Sequence, residues 1–249
     1  MSVAIENFIK AIYKSDKNNS HNTKPGNIAK KLGISNAAAT DMAKKLATKE
    51  LLHYKKYQAL KLTDKGNKMA LNIVRKHRLW ESLLFKIFDM SLHEIHRESE
   101  LLEHQTSDFL ANKISNYLGN PKFDPHGDPI PNDKGKITTK DTSIPLSQTE
   151  AKKNYIVSRL MSDDKEFLDF CSQHGLKFGN PDLVSKQFQK NKMTQIQVNN
   201  NTIILNENFT SIIYVNEINK NKTCDYGVFH HTFYVFTRKR KCIRCINNR

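Results

Sequence analysis

Apolar residues near the N-terminus recur at the spacing of an α-helix, and this spacing is the first structural signal in the chain. Over residues 4–14 they line one side of a helix and leave the other side polar. Its apolar members are Ile5, Phe8, Ile9, Ile12 and Tyr13. The pattern predicts an amphipathic helix that buries this side.

Two shorter helices follow, each with recognisable ends. Thr23 is placed to cap the second helix, Pro25 falls in its first turn, and Gly33 suits a left-handed C-cap. Ser35 is placed to cap the third helix. The predicted buried stripe of that helix is Ala39, Met42, Ala43 and Leu46. Two short helices joined by a tight glycine-containing turn predict a helix-turn-helix.

Residues 51–66, LLHYKKYQALKLTDKG, alternate apolar and basic positions on both sides of a turn near 57–59. Such alternation predicts two short β-strands joined as a hairpin. A hairpin directly after a helix-turn-helix is the wing of a winged helix. Residues 1–72 are therefore predicted to form a winged helix-turn-helix DNA-binding domain.

Helical spacing returns over residues 67–88 and again over residues 93–119. Apolar positions in the first of these helices are Leu79, Leu83, Leu84, Ile87 and Phe88. Such a helix pair needs another surface to cover it. A second copy of the chain would do so, because DNA-binding proteins with one wing often act as two-fold dimers. Residues 73–140 are therefore predicted to form a helical dimerisation domain.

Prolines interrupt the pattern after residue 120, at Pro121, Pro125, Pro129, Pro131 and Pro145. They predict irregular structure and a linker over residues 141–160. A helix near 162–174 and the runs MTQIQV, TIIL and SIIYV then predict a small β module over residues 161–215. The predicted fold class is mainly α with small β parts, followed by a basic tail over residues 216–249.

The charge of +15 is concentrated at the two ends of the chain. Residues 1–72 hold 14 Lys+Arg against 5 Asp+Glu, and residues 216–249 hold 8 against 2. A basic N-terminal block indicates a polyanionic partner, double-stranded DNA first. A lysine-rich solvated surface is the alternative.

No run reaches the roughly 18 apolar residues of a membrane span. The start, MSVAIENFIKAIYK, carries an acid early, unlike a secretion signal. The sequence thus predicts a cytoplasmic protein without a membrane partner. Its four cysteines are too few for a disulfide scaffold. Cys224, Cys242 and Cys245 with His230 or His231 have the ligand types of a zinc site, but a basic tail with one CxxC is the favoured interpretation.

Two segments of the helical region carry possible metal ligands. In RKHRLWE, His77 and Glu81 are four residues apart and share a helical face. In HRESELLEH, residues 96–104, one stripe of a predicted helix holds His96, Glu100, Glu103 and His104. Imidazole nitrogen and carboxylate oxygen suit Mn²⁺, Fe²⁺, Co²⁺, Ni²⁺ or Zn²⁺. From the residues alone, a solvated charged face opposite Arg75 or Lys76 stays the alternative.

The segments HRLWE, EIHRESELLEH and DPHGDPIP, after a winged helix ending in LTDKG, resemble the diphtheria toxin repressor and manganese transport regulator family. The resemblance spans about residues 4–135, and the β module is loosely similar to the SH3-like (FeoA-type) third domain of that family. It implies a metal-dependent dimeric repressor of metal-uptake genes. It also implies two metal positions per subunit.

By matching positions, the resemblance assigns His77, Glu81 and His96 to an ancillary position, and Glu100, Glu103, His104 and Asn7 to a primary one. Asn7 departs from the family, in which Met or Asp usually stands there. Glu100 matches manganese-type members, whereas iron-type members carry Cys. A ligand set without sulfur favours Mn²⁺, with Fe²⁺ as the alternative. Asp163 and Glu166 are the nearest candidates for a further ligand from the β module.

The resemblance also places part of the third helix against DNA, at Ser35, Ala37, Ala38, Thr40 and Asp41. Alanine methyls suit thymine methyls, and the two hydroxyls suit bases or phosphates. Lys44, Lys45, Lys55 and Lys56 are expected to contact phosphates. A cation joining the first helix to the dimerisation segment would fix the spacing of the two recognition helices, so metal and DNA affinities would be reciprocally coupled.

Two other functions compete with this interpretation. A di-iron carboxylate enzyme would need Glu-x-x-His on two helices. Three residues after Glu100 stands Glu103, and three before His104 stands Leu101, so the motif is absent and an enzyme is not predicted. The other alternative is a winged-helix regulator whose metal site is degenerate, which Asn7 favours.

Overall fold

The computed structural model of the protein describes residues 2–17 and 23–218. The first helix, α1, spans Val3–Lys17, and the helix-turn-helix consists of α2, Pro25–Leu32, and α3, Asn36–Thr48. Gly33 ends α2 with a left-handed φ of 64°, and Ser35 caps α3 by accepting a hydrogen bond from the backbone of Ala38. Both predictions are confirmed.

The predicted cap at Thr23 is wrong. The residue before α2 is Lys24, and its side chain makes no capping hydrogen bond. Thr23 is buried instead, and its carbonyl accepts a hydrogen bond from the backbone of Leu60. Its position is set by contact with the hairpin, which local sequence did not indicate.

The hairpin itself is confirmed. Its strands are β1, Leu52–His53, and β2, Lys61–Leu62, which pair antiparallel. Together with α1, α2 and α3, they enclose one hydrophobic core that includes Phe8, Ile28 and Leu46. A winged helix is thus formed by residues of the predicted DNA-binding domain.

Three helices make the next part of the chain: α4, Asp64–Phe88; α5, Leu92–Leu102; and α6, Asp108–Tyr117. Thr63 caps α4 by accepting a hydrogen bond from Gly66. A Cβ at Gly66 would stand 1.9 Å from the carbonyl oxygen of Leu51, so only glycine lets α4 start against the wing. Of the described helices, none is long and apolar enough to cross a membrane.

The helix predicted over residues 93–119 is interrupted, which is a correction. α5 begins with a capping box of Ser91 and Glu94 and ends at Leu102. A 3-10 turn over Glu103–Gln105 follows, and Ser107 then caps α6. Glu103 nevertheless keeps helical dihedral angles, and Lys10 binds both Glu100 and Glu103, so these two carboxylates stay close together.

The described residues after 140 form a six-stranded antiparallel sheet with a helix against it. The elements are β3, Ile144–Pro145; β4, Lys153–Leu160; α7, Lys165–Gln173; β5, Pro181–Phe188; β6, Met193–Val198; β7, Asn201–Asn206; α8, Glu207–Thr210; and β8, Ile213–Glu217. The strand order is β3-β8-β4-β5-β6-β7. The predicted β module is confirmed, but β3 and β4 fall inside the predicted linker, and β5 was not predicted.

A proline-rich loop over residues 121–131 joins the helices to the sheet. Arg78 of α4 donates a hydrogen bond to the carbonyl oxygen of Pro129, and Arg159 of β4 forms an ion pair with Asp128. Gly127 has a φ of 90°, and a Cβ there would lie 2.1 Å from the carbonyl oxygen of Ser158. The loop is therefore held on both sides, which brings β4 close to α4.

Candidate metal centre and DNA-facing surface

Three of the predicted ligands converge where α4 meets α5. Nε2 of His77 and Nδ1 of His96 each lie 3.0 Å from Oε1 of Glu81, and the two nitrogens are 3.2 Å apart. His77 and Glu81 are almost fully buried, and His96 is half-buried. One atom from each residue lies within 4.8 Å of the other two, which suits a shared metal ion.

The buried carboxylate of Glu81 makes this cluster depend on a nearby positive charge. Burial would lower the pKa of His77, but the Glu81 carboxylate and contacts with Glu103 and Glu81 raise it to about 9. Burial would raise the pKa of Glu81, yet His77 and His126 hold it well below its usual range. The buried carboxylate therefore demands a positive partner, which in the metal-free protein is a protonated imidazole.

The structure adds two residues to the edge of this cluster. His126, in the proline-rich loop, places Nδ1 3.7 Å from Oε1 of Glu81, and its buried Nε2 makes no hydrogen bond within the described residues. Asp163, after β4, places Oδ2 3.7 Å from Nε2 of His96. Asp163 was one of two candidates from the β module; Glu166, the other, is exposed in the first turn of α7. His126 was missed, although it stands inside the segment DPHGDPIP that carried the resemblance.

Two of the remaining predicted ligands, Glu103 and His104, meet side chains of α1 and α4. Oε2 of Glu103 lies 2.7 Å from Nδ1 of His77, so the two groups adjoin. Nε2 of His104 lies 3.2 Å from Oε1 of Glu103, and Nδ1 of His104 lies 2.6 Å from Oε2 of Glu6. Glu6 was not predicted, because a lone acid in the first helical turn is an ordinary feature.

Lys10 was also missed, and it changes this second group. Its Nζ donates hydrogen bonds to Glu100, at 2.7 Å, and to Glu103, at 2.5 Å. Burial would raise the pKa of Glu100, but Lys10 and then His77 lower it to about 2. By helical spacing Lys10 falls on the polar side of α1, where a lysine is ordinary, so no sequence signal indicated that it would meet carboxylates 90 or more residues away.

The two groups differ in how well they suit a metal ion. His77, Glu81 and His96 offer two nitrogens and a carboxylate oxygen, and among the described residues no lysine or arginine forms an ion pair with them. Glu100, Glu103 and His104 also have suitable donor atoms, and Oδ1 of Asn7 is buried without a hydrogen-bond partner among the described residues. In that second group, however, Lys10 already binds both carboxylates.

Most of the residues predicted to face DNA are exposed in the winged helix. Exposed on α3 and the wing are Ser35, Ala37, Ala38, Asp41, Lys44, Lys45, Lys55 and Lys56. Thr40 is half-buried, and its hydroxyl donates a hydrogen bond to the carbonyl oxygen of Asn36. Tyr57 at the tip of the wing is 85% exposed, with Nζ of Lys56 4.9 Å from its ring centroid. The alternating pattern of the hairpin places Tyr57 only in a turn.

The cysteine site considered for the C-terminal segment lies outside the described residues, as do Cys224, Cys242 and Cys245. The remaining cysteine, Cys171, is buried in the core of the β module. The donors of both groups are thus nitrogen and oxygen atoms.

Comparison with known proteins gives two family models that match successive parts of the chain. Residues 1–60 match the N-terminal DNA binding domain of the iron dependent repressors. Residues 63–132 match the metal binding and dimerisation domain of the same repressors. The boundary between them falls at the start of α4.

Curated relatives agree with these matches. The regulator MntR of Geobacillus kaustophilus is 33% identical over 101 residues, which cover 41% of this chain and 70% of that protein. The diphtheria toxin repressor of Corynebacterium efficiens is 26% identical over 170 residues, covering 64% and 74%. An uncharacterised HTH-type transcriptional regulator of Methanocaldococcus jannaschii is 34% identical over 104 residues, covering 42% and 83%.

Solved structures extend the likeness into the β module. A manganese-dependent transcriptional repressor in complex with manganese superposes with a TM-score of 0.79 at 27% identity, covering 86% of this chain and 100% of that one. The repressor ScaR with bound Cd²⁺ gives a TM-score of 0.72 at 31% identity, covering 86% and 99%.

Proposed function

Since the chain belongs to the iron-dependent repressor family, we propose that it is a metal-dependent transcriptional repressor that acts on the operators of metal-uptake genes. One observation carries the proposal. The buried cluster of His77, Glu81 and His96 is attached by a single helix, α4, to a winged helix with an exposed basic surface. Family members are repressors and not enzymes, so the metalloenzyme alternative is set aside.

The ligand is a divalent cation, and we propose Mn²⁺ with Fe²⁺ as the alternative. The donor atoms of the cluster are imidazole nitrogens and carboxylate oxygens. The thiol of Cys171 is buried in the core of the β module. Donors of this kind suit the harder first-row ions. A bound cation supplies the positive charge that the buried Glu81 requires.

His77, Glu81 and His96 would hold that cation, with Asp163 adjoining from the β module. His77 and Glu81 lie on α4, whose first turn packs against the wing, while His96 lies on α5. Drawing these residues together fixes α4 relative to its neighbours. Because α4 leads directly to the DNA-binding domain, its orientation sets the separation of the two recognition helices in a dimer.

Such coupling is reciprocal. If metal raises DNA affinity by some factor, then DNA raises metal affinity by the same factor, and typical allosteric couplings of about 1–3 kcal/mol correspond to roughly 5–150-fold. The protein would therefore bind its operator tightly only when the cytoplasmic metal concentration is sufficient, and would release it when metal falls.

A DNA-binding titration tests this function. Binding to a fluorescent metal-transporter promoter fragment should strengthen by roughly 5–150-fold on adding Mn²⁺ or Fe²⁺ to chelated protein. His96→Ala removes one cluster nitrogen and should abolish this gain. His93→Ala, on the same helix but outside the cluster, should keep it.

Equal DNA affinity with and without metal would contradict the proposal. Tight binding that is independent of metal would instead favour the alternative of a winged-helix regulator with a degenerate metal site. The specific reason to keep that alternative is Lys10, which occupies part of the second group of ligands.

A further inference from the structure

Lys10 is an internal cation in a place where carboxylates are gathered. It lies on α1, within the DNA-binding domain, and it is only 5% exposed. Its two carboxylate partners, Glu100 and Glu103, lie at the end of α5 and in the 3-10 turn. The ammonium group thus joins the DNA-binding domain to the dimerisation segment across 90 and 93 residues of sequence.

The surroundings of this ammonium leave little need for another cation. The side chain of Glu103 is fully buried, and one of its oxygens is bound by Lys10 while the other adjoins His77. Glu100 also receives the positive influence of His77 and Lys14. Both carboxylates that would attract a second metal ion are already balanced by protein groups.

We propose that the ammonium of Lys10 takes the place of a second metal ion. Each subunit then binds one regulatory cation, at His77, Glu81 and His96. The ammonium group of Lys10 supplies the second positive charge and is always present. The tie between α1 and the dimerisation segment is therefore always present. Metal acts through α4 and α5 alone.

Electrostatics explains why the two cations exclude each other. A divalent ion bound to Glu100 and Glu103 would stand within a few ångströms of the ammonium, in a buried place where like charges repel strongly. Lys10 would have to leave, and its long side chain packs inside the domain. Among the described residues, Oδ1 of Asn7, on the same helix as Lys10, is buried without a hydrogen-bond partner.

Metal stoichiometry tests the inference on the full-length chain. Equilibrium dialysis against Mn²⁺ should give one ion per wild-type subunit. Lys10→Met frees both glutamates, and Lys10→Glu adds a carboxylate, so each variant should bind one ion more than the wild type. Lys14→Met removes the same charge from the same helix without breaking the contacts of Lys10, and should bind as the wild type does.

The number of Mn²⁺ ions bound per subunit, compared between each Lys10 variant and the wild type, tests whether Lys10 replaces a metal ion. Two ions in the wild type, or no gain in either Lys10 variant, would overturn the inference. The inference rests on the proposed function only for the first cation, and the two can fail separately. A wild type with no ion and a Lys10→Glu variant with one would refute the metal dependence yet uphold the role of Lys10.

Chemical labelling covers the case in which the Lys10 variants do not fold. In wild-type protein, acetylation by a water-soluble ester, followed by mass spectrometry, reports how accessible each lysine amine is. Lys10 should stay protected when chelator is replaced by saturating Mn²⁺, with Lys14 as the internal reference. A rise of Lys10 labelling to the level of Lys14 under Mn²⁺ would show that metal displaces the ammonium, and would overturn the inference.

Discussion

His77 shows how much a single residue depends on its neighbours here. It is buried, which opposes charge, yet Glu81 on one side and Glu103 on the other keep it protonated in the metal-free protein. It must release that proton before the nitrogen that faces Glu81 can bind a cation. The protonated form of His77 therefore stabilises the metal-free fold, and the same residue loses its proton when a cation binds.

The raised pKa gives the metal-free protein a definite pH dependence. Because the pKa of His77 is about 9 when folded and about 6.5 when unfolded, its contribution is complete below pH 6.5 and is lost as pH rises through 9. The free energy of unfolding should fall by on the order of 3 kcal/mol over that interval. Urea denaturation with chelator present, at pH 6 and at pH 9.5, would measure it.

Two variants separate this contribution from other titrations. His77→Gln should lose most of the pH dependence, whereas His53→Gln, on the exposed wing, should retain it. Equal pH dependence in His77→Gln and wild type would show that His77 is not the group responsible.

At this scale, sequence predicts residue types better than their partners. Spacing of four along a regular helix correctly brought His77 beside Glu81, since local geometry decides that pair. Lys10, Glu6 and His126 were not found, because their partners are far away in sequence and only the tertiary fold brings them together.

Among the elements, α3 is the one that the sequence described most fully. Its cap, its buried stripe and its exposed side all follow from local propensity and 3.6-residue spacing. The end of α5 shows the opposite case. No glycine or proline marks the break after Leu102, and the 3-10 turn is stabilised by contacts of Glu103 and His104 with α1 and α4.

Strands were predicted where turns of asparagine separate apolar runs, as at β6 and β7. β4 was missed because Pro145 and the polar residues before Tyr155 resemble a linker. β5 was missed because its register shifts against β6 between Val184 and Lys186, so its alternation is irregular. Pairing with neighbours, and not intrinsic pattern, makes these segments strands.

The exposed lysines of α3 lead to a prediction about salt. If Lys44 and Lys45 contact phosphates, the double alanine variant should reduce the slope of log affinity against log salt by about 0.9 per lost contact. Fluorescence anisotropy over a KCl series, with metal present, would measure the slope. Lys190→Ala, an exposed lysine of the β module, should leave it unchanged; an equal reduction there would contradict the assignment.

For the whole molecule, the exposed apolar surface of the helical domain is the feature that needs explanation. Large apolar side chains are exposed at Ile87, Phe88, Leu101, Phe109, Leu110 and Tyr117. Leu79 and Leu84, by contrast, are buried within the subunit, so only part of the apolar pattern in α4 remains for a partner. Exposed apolar side chains of this size are typical of an interface, and the matched family domain is a dimerisation domain.

Phe109 is 72% exposed at the start of α6, and its replacement tests the dimer. Phe109→Asp puts a charge into the proposed interface and should weaken dimerisation by roughly 30-fold or more, as loss of an aromatic anchor costs about 2 kcal/mol or more. Analytical ultracentrifugation would measure the dissociation constant. Tyr57→Asp, at a still more exposed position on the wing, should remain dimeric, and an unchanged Phe109→Asp dimer would exclude this surface.

The strand order of the β module affects the order in which its strands can pair during folding. β5, β6 and β7 are neighbours in both sequence and sheet, so they can pair as soon as they are synthesised. β8 instead inserts between β3 and β4, where Val157 pairs with Val215 despite the 58 positions between them. Closing so long a loop is slow compared with forming a local meander. We therefore expect the winged helix and the histidine cluster to form first on the nascent chain, before β8 completes the module that carries Asp163.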